Sequence, residues 1–228
     1  MKKTLLSLTA LALIATASQA QDDNAKSSGA TTFGVHAGVG MAKFNGDDEA
    51  GEKLDSKFAA KFNVGVDAQI PIATDFYIQP GLNFQSKGAK FEDGSDEFRL
   101  NLFYVDIPVS FVYKTASSHF FGGFGPYVGF GVGGKATTNV SGAEDVDIEF
   151  RNDITAAELL ADDKVYFKRM DAGANVFLGY EFVNGLAVKV GTQIGLTNIN
   201  TDIEGATADQ SKTKNIGFGL TIGYRFGK

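Results

Sequence analysis

Phe62-Asn63-Val64-Gly65-Val66-Asp67-Ala68-Gln69-Ile70 keeps a strict two-residue beat. Phe62, Val64, Val66, Ala68 and Ile70 fall on one side of an extended chain, and Asn63, Gly65, Asp67 and Gln69 on the other. The beat returns near the end, where Ile216, Phe218, Leu220, Ile222, Tyr224 and Phe226 alternate with Gly217, Gly219, Thr221, Gly223 and Arg225. This is the period of a strand whose two faces meet different media. Outside the leader no stretch is long and apolar enough for a spanning helix, which needs ~20 residues. A membrane passage by this chain would therefore use closed sheet, the other architecture that satisfies its own backbone.

Eight candidate strands follow from the pattern, at 33–44, 58–70, 76–87, 98–113, 119–135, 167–182, 186–198 and 213–226. The connections alternate in length. Pro71 to Asp75, Lys114 to Ser118 and Val183-Asn184-Gly185 are short, and the Asn-Gly pair suits a tight hairpin. Asn45 to Lys57, Gly88 to Glu97, Ala136 to Tyr166 and Asn198 to Lys212 are long. Short turns at one end and long loops at the other predict an antiparallel, up-and-down transmembrane β-barrel of a bacterial outer membrane, with both termini periplasmic. Alternation alone leaves open which face is outside. The fifth strand settles it, because Gly123, Gly125, Tyr127, Gly129, Gly131 and Gly133 make a face too poor in charge for a solvated exterior. Inside a narrow eight-stranded wall there is room only for side chains, and small residues relieve crowding. Two aromatic girdles are expected on the outer face: Phe76, Tyr77, Tyr113, Phe120, Phe182, Tyr224 and Phe226 near the turns, and Phe44, Phe58, Phe91, Phe98 and Tyr166 near the loops.

Residues 1–20 read as a signal peptide: Lys2 and Lys3 begin it, Leu5 to Ala17 form its apolar core, and Ser18-Gln19-Ala20 offers a cleavage site before Gln21. A polar N-terminal tail over 21–31 and a single barrel domain over 32–228 complete the organisation. There is no cysteine, which excludes a lipid-anchored lipoprotein and a disulfide scaffold. Twenty Phe and 28 Gly without Trp suit aromatic girdles outside and small residues inside. A net charge of -6 argues against nucleic acid as a partner, because such binding rests on clustered positive charge.

The chain resembles the PorT-like outer-membrane β-barrel proteins of Bacteroidetes. The residues carrying the resemblance are Phe103-Tyr104-Val105-Asp106-Ile107-Pro108-Val109, Phe121-Gly122-Gly123-Phe124-Gly125-Pro126-Tyr127-Val128-Gly129 and Ile78-Gln79-Pro80-Gly81-Leu82. The resemblance covers the chain from the first strand to the last and implies an integral outer-membrane barrel. The last strand is similar to the terminal signal by which such barrels are recognised for insertion, and departs from it in that Gly227 and Lys228 follow Phe226.

Few residues carry chemistry. Gly129-Phe130-Gly131-Val132-Gly133-Gly134-Lys135 nearly completes a phosphate loop, but Ala136 stands where Ser or Thr is needed, and the glycines alternate within a strand. His36 and His119 are the available imidazoles, and neither lies near the extracellular rim, so structural roles are expected of them. The lumen-facing charged candidates are Lys61, Asp67, Lys87, Asp106, Lys135, Arg169, Asp171, Glu181, Lys189 and Arg225. Both signs occur, and mutual neutralisation across a narrow lumen is the expectation, since an unpaired charge there costs several kcal/mol. The loops are acidic, with Asp47, Asp48, Glu49, Glu52 and Asp55 in the first and Glu144, Asp145, Asp147, Glu149, Asp153, Asp162 and Asp163 in the third; these read as solvated charge rather than a calcium site. Thr155-Ala156-Ala157-Glu158 has capping-box form and predicts a short helix over 156–161.

The expectation is a non-enzymatic barrel without cofactor or metal, structural or acting through its extracellular loops. The alternative is a small passive channel or a barrel passing hydrophobic solutes; a membrane enzyme is a weaker third. The implied partners are outer-membrane lipid and lipopolysaccharide, the barrel-insertion machinery, and an unknown surface or periplasmic protein. A monomer is expected, because closing the sheet removes the edges that recruit other chains.

Overall fold

Alternating side chains make each strand two-faced, and in the computed structural model the strands join until no edge is left. The structure describes residues 29–48, 50–115, 117–161, 164–204 and 211–227. The expected leader over 1–20 lies outside the described residues, as does the tail over 21–31 up to residue 28.

Eight long strands form the wall: β1 (Thr32–Asp47), β2 (Ala59–Ala73), β3 (Phe76–Asp93), β4 (Asp96–Lys114), β5 (Phe120–Thr138), β9 (Met170–Glu181), β10 (Leu186–Gly195) and β12 (Lys212–Phe226). Each pairs antiparallel with its neighbour in the order β4-β3-β2-β1-β12-β10-β9-β5, and β5 returns to β4 to close the ring. The seam between the first and last strands is continuous from Phe33–Phe226 to Asp47–Lys212. Between β5 and β9 lie β6 (Val146–Phe150), β7 (Asp153–Thr155), α1 (Ala156–Ala161) and β8 (Lys164–Phe167), while β11 (Asp202–Glu204) lies between β10 and β12. β6 and β8 pair in parallel and extend the wall from β5; β7 and β11 form a separate parallel pair. These short elements order the extracellular loops.

The outward faces carry Val35, Val39, Val64, Val66, Leu82, Phe124, Val176, Leu178, Leu220 and Ile222, all exposed, as a surface wrapped by hydrocarbon requires. The inward faces come too close for larger residues. A Cβ on Gly125 would lie 2.0 Å from the Val109 carbonyl oxygen, and one on Gly173 2.0 Å from that of Ile194.

The strands outrun the apolar pattern. The stretch from Gly88 to Glu97, expected as a long loop, is mostly ladder: pairing of β3 with β4 continues to Asp93–Asp96, and the turn is Gly94-Ser95, with Gly94 at φ 60°. Above the membrane the contrast between the two faces fades, while the backbone goes on pairing. The loop-side girdle is the second difference. Phe58 and Phe98 are exposed, but Phe44 and Tyr166 are buried and Phe91 packs against the interior. The turn-side aromatics Phe76, Tyr113, Phe120, Phe182, Tyr224 and Phe226 are exposed as a girdle requires, whereas Tyr77, next to Phe76 on β3 and so on the opposite face, is half-buried.

Candidate functional site

The interior is layered from the loop end to the turn end. At the extracellular mouth, Phe44, Leu102, Tyr104, Ile148, Phe150, Phe167 and Ile199 form an apolar plug, with Leu54, Phe91, Val146 and Val165 packed against it. Strands and loops both contribute. Phe44 projects inward from β1 and Leu102 from β4, while Ile148, Phe150, Phe167 and Ile199 come down from the loop elements. Phe44 and Phe167 pack at 5.9 Å between ring centroids, and Tyr104 and Phe150 meet edge to face at 5.2 Å. Burial of this cluster is what orders the loops, because each long loop gives it at least one side chain that would otherwise face water.

Beneath the plug, the Lys87 ammonium stands 2.9 Å from Asp106 and 2.8 Å from Asp171, with all three side chains at 2% exposure or less. It also lies 4.6 Å from the ring centre of Tyr104 and 4.4 Å from that of Tyr127. Neutral donors complete the carboxylates. Gln193 donates to Asp106 at 2.8 Å, and Gln85 donates to the same oxygen. Asn215 at 3.0 Å and Tyr127 at 3.2 Å serve one oxygen of Asp171, and Thr197 at 3.2 Å serves the other. Lys87 on β3, Asp106 on β4, Tyr127 on β5, Asp171 on β9, Gln193 on β10 and Asn215 on β12 make one network across six strands. Buried charge is tolerable only when paired and fully hydrogen-bonded, and this cluster comes close to meeting that condition.

A cavity of about 110 Å³ follows, lined by Lys61, Lys189, Asp67, His36 and amide side chains including Asn63, Asn175 and Gln193. Below it, near the short turns, Arg225 reaches Asp67 at 2.9 Å and Glu181 at 3.4 Å, and Lys114 reaches Glu181 at 2.7 Å. His36 sits within this layer, with Nδ1 3.3 Å from Asp67 and Nε2 2.9 Å from the Asn83 side-chain oxygen. His119, at φ 62°, marks the turn into β5, and its ring packs against Tyr180 at 5.9 Å.

Eight of the ten charged residues that the alternation assigns to the lumen lie inside the wall: Lys61, Asp67, Lys87, Asp106, Asp171, Glu181, Lys189 and Arg225. Lys135 and Arg169 do not. Phe103 pairs with Gly133 and Tyr104 with Gly131, which leaves Val132 as an extra residue on β5. Such a bulge reverses the alternation beyond it, so Lys135 points out, more than half exposed, while Gly134 and Ala136 take the inner side. Arg169 occupies the break between β8 and β9, exposed, and donates to the Phe150 carbonyl at 3.1 Å. The neutral partners Gln85, Gln193 and Asn215 escape a survey of charges alone, although the parity of their strands places them inward. Lys114 escapes because the apolar alternation ends at Tyr113, which leaves it to the following turn.

A closed ring of eight antiparallel strands with an apolar exterior, a polar interior, short turns and long loops is a transmembrane barrel of the bacterial outer membrane. The chain belongs to the family described as outer membrane protein beta-barrel domain, whose family model matches residues 19–201. Among solved structures it is similar to the Neisserial surface protein A, at 13% identity and a TM-score of 0.45, covering 86% of this chain and 99% of that one. It is also similar to Ail, the attachment invasion locus protein of Yersinia pestis, solved with the heparin analogue sucrose octasulfate: identity is 15%, TM-score 0.40, and coverage 86% and 99%. OprG from Pseudomonas aeruginosa is similar at 11% identity and a TM-score of 0.41, with 88% and 98% covered. No curated protein matches the chain.

Proposed function

We propose that this protein is a non-enzymatic, non-conducting barrel, exported by a signal peptide at 1–20, that acts through the ordered surface of its extracellular loops. One observation carries this reading: the plug of Phe44, Leu102, Tyr104, Phe150, Phe167 and Ile199 fills the mouth where a channel would open. Beneath it, the Lys87 layer spends its polar groups on one another rather than on a passing solute. Both imidazoles lie away from the extracellular rim, His36 within the lumen and His119 at a short turn, which favours a non-enzymatic role. The PorT-like group remains the proposed subfamily, on the strand patterns around Asp106-Ile107-Pro108 and Gly125-Pro126-Tyr127. Outer-membrane lipid and lipopolysaccharide are its surroundings, the insertion machinery its transient partner, and a surface or periplasmic protein the partner its loops would meet. The chain acts as a monomer, with its long strands paired on both sides.

The test is conductance of the refolded mature protein in planar bilayers, with heat-modifiable gel mobility as the check on folding. The wild type is silent, whereas opening both barriers, with Leu102→Ala and Phe150→Ala in the plug and Lys87→Ala, Asp106→Ala and Asp171→Ala beneath it, lets ions leak. Discrete conductance from the wild type would overturn the reading in favour of the small-channel alternative.

A further inference from the structure

The cavity between the two charged layers has a charge imbalance. Lys87 is committed to Asp106 and Asp171; Arg225 and Lys114 are committed to Asp67 and Glu181. Among the described residues, Lys61 and Lys189 have no carboxylate within 4.0 Å, and both line this cavity. Its one lining carboxylate, Asp67, is already held by Arg225 and lies beside His36. Five luminal cations thus face four carboxylates inside a wall surrounded by hydrocarbon. The remaining lining suits a negative ion. The side chains of Asn63 and Asn175 make no hydrogen bond among the described residues and present amide donors to the cavity, and Thr221 presents a hydroxyl.

Volume and access narrow the ligand further. About 110 Å³ is several times the ~10–15 Å³ that a single water needs on this measure, enough for one small anion with part of its hydration. The extracellular route is shut by the Lys87 layer and the plug. On the turn side, a smaller cavity of about 40 Å³ shares His36, Asp67, Gln79, Lys189 and Thr221 with the larger one and extends to Gly34 and Arg225. We propose that the lumen holds a small monovalent anion of halide size in the cavity shared by Lys61 and Lys189, admitted from the periplasmic end. The anion brings the interior to neutrality and supplies a charge partner for two half-buried ammonium groups, of which Lys189 otherwise has the Phe177 ring at 4.9 Å. This site does not depend on the role of the loops, because a silent barrel and a leaking one would both contain it.

Bromide is the probe. Crystals of the mature barrel grown in sodium bromide are read for an anomalous peak in the cavity, and thermal unfolding in micelles is compared between bromide and gluconate at constant ionic strength. The expected result is a peak within contact of a lysine amine, together with a midpoint that rises saturably with bromide. Both persist in Lys135→Met, whose lysine is exposed, and both are lost in Lys61→Met, Lys189→Met. Should that double variant fail to fold, Lys61→Gln and Lys189→Gln are each expected to weaken the bromide response several-fold. A cavity holding water only, or a response indifferent to these substitutions, overturns the proposal.

Discussion

Replacing Lys87 with Met leaves two buried carboxylates with nothing between them. Asp106 and Asp171 both reach the same ammonium, at 2.9 and 2.8 Å, so the oxygens involved lie no more than about 6 Å apart. At an effective dielectric of about 20, two unit charges at that spacing repel by about 3 kcal/mol. Removing one partner from a buried ion pair costs about 3–5 kcal/mol for the same reason. A loss of about 3 kcal/mol, roughly a hundredfold in the folding equilibrium, is therefore expected for Lys87→Met. Urea unfolding of the barrel in lipid vesicles, followed by heat-modifiable mobility and circular dichroism, measures it. The companion is the triple variant Lys87→Met, Asp106→Asn, Asp171→Asn. It keeps side-chain oxygens for Gln193, Asn215 and Tyr127 to donate to, and is expected within about 1 kcal/mol of wild type or better. If Lys87→Met costs less than about 1 kcal/mol, or the triple variant is no more stable than the single one, the layer is not the electrostatic tie described here.

Gly125→Ala is expected to abolish refolding, because its Cβ would lie 2.0 Å from the Val109 carbonyl oxygen; Gly81→Ala, where the nearest atom is at 3.1 Å, refolds with little loss on the same gel. Val39→Arg, at a position 66% exposed on the lipid face, is expected to cost about 2–4 kcal/mol in vesicle unfolding, whereas Val140→Arg in the third loop stays near neutral. The Glu158 carboxyl is held below its ordinary value of 4.5 by the Thr155 backbone N–H, the Arg151 guanidinium and the Thr155 hydroxyl. A depressed carboxyl contributes stability that is complete above its ordinary value and is lost as pH falls through its folded one. The protection factor of the Thr155 amide, which corrects for the intrinsic pH dependence of exchange, should accordingly be high at pH 5 and above, fall below pH 4.5, and become insensitive to pH in Glu158→Gln.

The alternation in Phe62–Ile70 and Ile216–Phe226 gave away the wall because each strand reports directly which medium each of its faces meets. Thr155 and Glu158 were legible for a similar local reason: the two side chains reach each other's backbone or hydroxyl groups within one turn, at 2.9 to 3.2 Å, and need no distant partner. The plug was not legible. Phe44 and Tyr166 lie at the loop ends of their strands, where an aromatic facing lipid and one facing a sealed mouth produce the same pattern. Nor does Gly131-Val132-Gly133 declare which of its residues will be skipped by β4, and that single unpaired residue moved Lys135 from the lumen to the surface. The Lys87 layer was half visible: its charges fall on the expected face, but the link between Lys87 and Asp171 depends on ring closure, which brings β3 and β9 across from each other.

The sealed mouth also divides the loops by their freedom to drift. Residues 140–145 are exposed throughout, so a lineage changing its outward appearance can redraw them at no structural cost. Ile148 and Phe150 follow within a few positions and are anchored in the plug, as are Phe167 and Ile199. Variation, and any foreign epitope grafted for display, is thereby confined to the tips, and the stretches between them are held as strictly as the wall itself.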